Sequence, residues 1–385
     1  MSTPTQTSSQ PEGDLHHTRL DDVDGIVPSQ VRPASRRPGQ LLAVAAAALA
    51  LVLWLGVGLH VAAALVLSFV VYLVAVYALY RHLGGSRVAV DHLVRALVYF
   101  AFVCAIIPLV SLLWTVIAEG AGRAFDPAFL NQTMNGVTGL NDQQYADGSA
   151  EFVGGAYHAI IGTLIITGLA TLISVPIGMF TAIYLVEYGA RNRLARGIRF
   201  LVDVMTGIPS IVAGLFAFAL FTQIFGIRDA KMGLAGAIAL SVLMIPTVVR
   251  NSEEMLRIVP NELREAALAL GVPKWRVIAK VVLPTAASGL ASGVTLAIAR
   301  VIGETAPLLV AIGYARGLSW NAFEGPMNTL AVYAYFMFTK PLSPAVREPS
   351  LERAWAAALL LVLIVVALNL LARLIAKMFA PKTGR

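Results

Sequence analysis

Charge is what this sequence has least of. Asp, Glu, Lys and Arg make up 13% of its 385 residues, about half the share usual in soluble proteins. Apolar residues fill 58% and the mean hydropathy is +0.75, which excludes a water-soluble globule. Cysteine is nearly missing. Cys104 stands alone, so neither an intrachain disulfide nor a Cys-based metal centre can form, and inside an apolar block it reads as a small buried hydrophobe. Catalytic signatures are missing as well: there is no Gly-x-x-x-x-Gly-Lys-Ser/Thr to cradle nucleotide phosphates, no Gly-x-Ser-x-Gly and no His-Glu-x-x-His. His60, His82, His92 and His158 are scattered without metal-ligand spacing. Catalytic residues and a metal site are therefore not expected. A net charge of +7 and a pI near 9.6 would suit nucleic acid only if the basic residues shared one folded face with aromatics. They lie between apolar blocks instead, so no nucleic-acid partner is expected.

What is present is a series of apolar runs, near 41–59, 61–80, 93–117, 157–186, 200–225, 233–250, 285–313 and 354–374. A helix needs about 20 residues to cross a hydrocarbon core. The runs predict an all-α polytopic membrane protein with about eight transmembrane helices, solvated by lipid. The segment Met327 to Phe338 is apolar but too short to cross and reads as re-entrant or interfacial. Residues 1–40 hold Pro4, Pro11, Pro28, Pro33 and Pro38 among polar side chains and read as a disordered tail, whose His16 and His17 lack partners for a metal.

Basic residues concentrate in alternate loops. Arg32, Arg36 and Arg37 precede the first run, Arg81 and Arg87 follow the second, Arg191, Arg193, Arg196 and Arg199 separate the fourth and fifth, and Arg257, Arg264, Lys274, Arg276 and Lys280 fill the loop 251–284. The positive-inside rule assigns these loops, and the tail 375–385, to the cytoplasm. The acidic stretch Glu119 to Glu151 falls outside. Both termini are then cytoplasmic.

Within the loop 251–284, Asn261 after Pro260 is a competent helix start, and Gly271 followed by Pro273 a competent stop. Leu263, Ala266, Ala267 and Leu270 recur at helical spacing and build one apolar stripe flanked by Glu262, Arg264 and Glu265. So short a helix is marginal alone. Its mixed charges favour a groove on a protein partner; a helix lying on the membrane surface, the other reading, expects a wider apolar face edged by Lys and Arg.

Glu265-Ala266-Ala267, Gly271 and Leu283-Pro284 together resemble the EAA loop of type I ABC importer permeases, with Val281 where an Ile is usual. Three further stretches narrow the resemblance: Val175-Pro176-Ile177-Gly178 through Glu187-Tyr188-Gly189, Gly207-Ile208-Pro209-Ser210 through Gly214-Leu215, and Ala297-Ile298-Ala299-Arg300 through Gly303-Glu304-Thr305-Ala306-Pro307-Leu308-Leu309. From about residue 93 to the C terminus the chain is similar to the PstA family, permease subunits of bacterial phosphate importers. The resemblance implies a first core helix and extracytoplasmic loop at 93–156 and a permease domain at 157–374, with the N-terminal hairpin 41–80 as an addition. It implies a multi-pass plasma (inner) membrane subunit working with a homologous PstC-like permease, a PstB-like ATPase dimer and an extracytoplasmic PstS-like phosphate-binding protein. ATP and Mg would be bound by the ATPase, so this chain needs no cofactor. Glu265, Ala266, Ala267, Leu270 and Gly271 would dock to that ATPase. A permease of the same kind for an amino acid or another oxyanion is the alternative, and a stand-alone secondary transporter a more distant one.

Arg300 lies about halfway along the run 285–313, where a guanidinium costs at least about 2.5–3.5 kcal/mol without a partner or a wet cavity. Glu304, four residues on, would share its helix face. Either the two neutralise each other and fix packing, or Arg300 offers its planar fork to phosphate oxygens while Glu304 accepts a hydrogen bond from the proton that phosphate keeps and sulfate lacks. Arg250 reads as a snorkelling cap or as a basic residue at the inner mouth. Ser210 and Thr305 complete the candidate substrate pathway. Pro176, Gly207, Pro209 and Gly214 are candidate helix breaks, of the kind that aim half-helix N-termini at an anion or simply ease packing.

Overall fold

The computed structural model describes residues 37–189 and 192–379. Most of the expected N-terminal tail, Arg191 and residues 380–385 lie outside them. All regular structure among the described residues is helical, and packing divides the chain into two units, Met1–Leu109 and Val110–Arg385.

In the first unit, α1 (Arg37–Leu55) is followed by α2 (Val61–Ala124), whose later residues belong to the second unit. α2 is not a rod. Gly85 has φ 81° and ψ 178°, a backbone state that side-chain-bearing residues avoid, and rings distant in sequence meet across it. Phe69 stacks on Phe100 with centroids 3.7 Å apart, and Tyr80 on His92 at 3.6 Å. On a straight helix residues 69 and 100 would stand about 46 Å apart, at about 1.5 Å per residue. α2 is therefore a hairpin of two antiparallel arms, 61–84 and 86–124. The runs 61–80 and 93–117 become these arms, but the expected loop 81–92 is helical up to the turn, because only Gly84 and Gly85 interrupt good helix formers there. Cys104 is exposed rather than buried. It shares the bare apolar surface of the second arm with Phe102, Val103 and Ile107, a surface suited to lipid.

The second unit continues with α3 (Pro127–Asn131), α4 (Gly139–Ala146), α5 (Tyr157–Ile183) running into a wide π-type turn (Tyr184–Tyr188), α6 (Arg193–Thr206), α7 (Ser210–Phe225) and α8 (Gly233–Ile258). Then come α9 (Asn261–Ala269), α10 (Lys274–Val277), a second π-type turn (Ile278–Val282), α11 (Leu283–Val301), α12 (Ala306–Ala311), α13 (Leu330–Thr339) and α14 (Glu348–Phe379). α5, α7, α8, α11 and α12 share one core, in which Ile166, Leu240, Met244 and Leu308 fill the gaps between small residues such as Ala170, Ala217, Ala237 and Ala297. Small side chains let helix backbones approach closely, the main source of helix association where the solvent is itself apolar.

Among the described residues five helices are long and apolar enough to cross a membrane, and α6 with α7 makes a sixth if that pair, bent by 106°, is one span. The expected eight differ for identifiable reasons. α2 counts once although its two arms hold two of the expected runs, the apolar part of α1 (Gly39–Leu55) is short, and the run 200–225 is split. α6 carries Arg193, Arg196 and Arg199 on one side and Leu194, Ile198, Leu201 and Met205 on the other, the pattern of a helix lying in a membrane interface. The short segment at 327–338 forms α13, whose Leu330, Val332, Tyr333 and Met337 are buried.

Candidate functional site

The run 285–313 is not one helix. α11 ends at Val301, Gly303-Glu304-Thr305 turn the chain, and α12 restarts with Pro307 at its second position. Arg300 occupies the last turn of α11 with its side chain exposed, and among the described residues it has neither an ion pair nor a side-chain hydrogen bond. The helix stops before Glu304, so the shared face and mutual neutralisation expected of these two residues do not form. Glu304 sits half-buried in the turn. A bare guanidinium at the end of an apolar 28-residue span, Lys274–Val301, is costly against acyl chains; it belongs against a partner or a wet passage.

Close packing brings α7 to the same place. A Cβ on Gly214 would overlap the backbone carbonyl of Pro307, so the second turn of α7 touches the first turn of α12. Ser210, the first residue of α7, lies one turn before that contact. Thr305 precedes α12 at its N-cap position without a side-chain capping bond; its Oγ1 donates back to the Gly303 carbonyl at 3.5 Å. Gly207, Ile208 and Pro209 form the 106° corner between α6 and α7. Of the other two expected breaks, Gly214 is a contact point inside continuous α7. Pro176 lies within unbroken α5, where neighbouring helices compensate for the lost backbone bond.

At the opposite end of α11, α9 stands away from the body. Leu263, Glu265, Ala266 and Leu270 are exposed, Leu270 by 83%, while Ala267 turns inward to Leu256, Val259 and Val277. Gly271 ends the helix at φ 76°. The clamp is Arg264, which the sequence marks only as a flank. Its Nε donates to Glu187 Oε1 at 3.0 Å, Nη1 to the Val259 carbonyl at 2.6 Å and Nη2 to the Leu256 carbonyl at 2.8 Å. Lys274 Nζ donates to the Glu187 carbonyl and lies over the Tyr188 ring. Glu187, on the π-type turn after α5, thus ties α9 and α10 to the helix bundle.

Arg250 is not a free cation. Its Nη2 donates to Asp203 Oδ1 at 2.6 Å, and beside it Arg199 pairs with Glu253 at 3.0 Å. These pairs cross-link α6 to α8 around an open cleft of about 370 Å³ that also holds Glu254 and Arg257. Three arginines face three acids there, so the cleft has no net attraction for an anion.

The model of the family described as binding-protein-dependent transport system inner membrane component matches residues 174–385, a stretch that takes in Arg300, Glu187, Arg264 and the whole of α9. The chain belongs to this family. Among family members, the phosphate transport system permease protein PstA 1 of Mycobacterium tuberculosis is 45% identical over 277 residues, 72% of this chain and 85% of that protein. PstA of Haemophilus influenzae is 43% identical over 221 residues, 57% of this chain and 75% of its own length. A chain of the methionine ABC transporter MetNI, solved in inward-facing conformations, overlays with a TM-score of 0.46 at 21% identity, covering 59% of this chain and 94% of that one.

In this member of the binding-protein-dependent family, the end opposite α9 carries an ordered cap that sequence reasoning missed. Buried Arg353, on α14, donates to both oxygens of buried Asp142, on α4, at 2.8 and 3.1 Å and to the Val153 carbonyl at 2.8 Å. Ser350 also donates to Asp142. Arg123 adds an ion pair to Glu352 at 2.8 Å and lies over Phe152. Leu330 N donates to Thr163 Oγ1 at 2.8 Å, and a Cβ on Gly162 would overlap the Asn328 carbonyl, which fixes the entry to α13 against α5. Burial pushes the hydroxyl of nearby Tyr314 up to about 12, so it stays neutral at any physiological pH.

Proposed function

We propose that this chain is the transmembrane permease subunit of an ATP-driven inorganic phosphate importer, forming half of the translocation pathway. The observation that carries the reading is Arg300, an exposed guanidinium at the end of an apolar span with no ion pair or side-chain hydrogen bond among the described residues. Relatives 43–45% identical that are named phosphate permeases support the choice of anion.

A bilayer passage built from two permeases places such a group between them. Arg matches phosphate with two parallel N–H donors. Glu304, in the turn beyond it, accepts from the proton that phosphate retains at neutral pH, and a fully ionised sulfate has no such proton to give. Ser210 and Thr305 supply hydroxyl donors where α7 meets α12. The exposed face of α9, with Glu265, Ala266, Leu270 and the stop at Gly271, docks on a separate ATPase dimer that holds ATP and Mg. Through Arg264 and Glu187, movement of α9 reaches α5 and α8. The α9 side is cytoplasmic by its basic loops, both termini included, and the cap around Arg353 faces a phosphate-binding protein outside.

The test is uptake by proteoliposomes holding the chain with its second permease and ATPase. Phosphate accumulation that requires ATP, with no accumulation of sulfate or amino acids, is the expected result. Uptake of another solute in place of phosphate, or phosphate uptake without ATP, overturns the reading.

A further inference from the structure

The first unit contains a cleft that the transport reading does not use. It opens between α1 and the two arms of α2, encloses about 310 Å³, and is lined by Gln40, Tyr72, Tyr80, His92, Arg95 and Tyr99 over a floor of Val76 and Ala96. Its depth in a membrane can be read from charge. Residues 61–80 of the first arm and 96–118 of the second carry no Asp, Glu, Lys or Arg, so Arg81 and Arg95 are the last charges before hydrocarbon on each arm. That is the level of lipid phosphates. Between residues 77 and 99, Arg81, Arg87 and Arg95 stand against Asp91 alone, a local charge of +2. Arg95 gives only Nη2 to Asp91, at 2.8 Å, and the rest of its fork has no partner among the described residues. Below the cleft the arms are bare: Val66, Val70, Phe102 and Val103 are all exposed apolar residues.

We propose that this cleft binds one anionic phospholipid, with its headgroup phosphate on Arg95 and on the phenol hydroxyls of Tyr72 and Tyr99, and its acyl chains along the uncovered apolar residues of the arms. Basic side chains at the membrane surface attract anionic lipid, and tyrosine suits the wet–greasy boundary because its ring is apolar and its tip polar. The tight packing that makes the cleft specific is the Tyr80–His92 stack, which holds the two arms in register beside the Gly85 turn.

The test is native mass spectrometry of the delipidated full chain titrated with dioleoylphosphatidylglycerol, dioleoylphosphatidylcholine and inorganic phosphate. One phosphatidylglycerol should be retained in preference to phosphatidylcholine, and millimolar phosphate should not displace it. Arg95→Gln should weaken retention about tenfold, the loss of one charge-assisted bond. Arg81→Gln, the same charge change outside the cleft, should leave retention unaltered. Ala43→Phe, which fills the exposed α1 wall without touching charge, should likewise weaken retention and serves if Arg95→Gln misfolds. Equal retention of both lipids, equal loss in the two arginine variants, unchanged binding in Ala43→Phe, or displacement by free phosphate would each overturn the assignment. None of these results bears on phosphate transport.

Discussion

Replacing Arg264 with alanine should free α9 from the bundle while leaving the spans standing. Four bonds go at once, to Glu187, to the Val259 and Leu256 carbonyls and to Asn261 Oδ1. Glu187 is left with a carboxylate whose side chain is only 7% exposed. Stripping one partner from a largely buried pair costs about 3–5 kcal/mol. Since about 1.4 kcal/mol is a factor of ten, the ratio of docked to undocked α9 should fall by about two to three and a half orders of magnitude. Arg264→Lys keeps the charge but not the fork that reaches several acceptors, so it should fall between. Hydrogen exchange at residues 261–270 reads the docking directly, and ATP-driven phosphate uptake reads its consequence. Removing Glu187 as well should recover part of the loss, because no buried charge is then stranded. Unchanged exchange in Arg264→Ala, or wild-type uptake, would show that α9 is held by Ala267 packing and not by this clamp.

Two other substitutions test the opposite end. Arg353→Met should strand buried Asp142 and lower stability by about 3–5 kcal/mol, whereas the double change Asp142→Leu with Arg353→Met should return most of it; thermal unfolding of the purified chain distinguishes them, and equal destabilisation by both would contradict an ion-pair origin. Gly162→Ala should cost at least about 1–3 kcal/mol, since its methyl has no room beside the Asn328 carbonyl, and unaltered thermal unfolding would mean that α13 does not seat on α5.

Local signals in the sequence proved the most legible. Pro260 before Asn261 and Gly271 before Pro273 mark the ends of α9 within two residues, because caps depend on neighbours in the chain. The split at Gly303 and Pro307 was equally visible in principle; continuing the helix through both residues is what paired Arg300 with Glu304. Long-range partnerships left no trace. Arg264 meets Glu187 across 77 positions and Arg353 meets Asp142 across 211, and no periodicity links them. Apolar runs likewise report that a segment avoids water but not whether it turns a corner, so the interfacial α6 merged with α7 in a single expected span. Arg250 shows the same limit: at the end of an apolar run it reads as a snorkelling cap or as a basic residue at the inner mouth, and neither reading points to Asp203, its partner on another helix.

Phosphate uptake by proteoliposomes carrying Arg300→Lys, measured together with the thermal stability of the variant, tests the pathway assignment most directly. Lysine keeps the charge and loses the bidentate fork, so uptake should fall about tenfold or more, while stability should not change because Arg300 has no ion pair or side-chain hydrogen bond among the described residues. Full uptake in Arg300→Lys would remove Arg300 from the phosphate path and contradict its role as the anion-binding group of the passage.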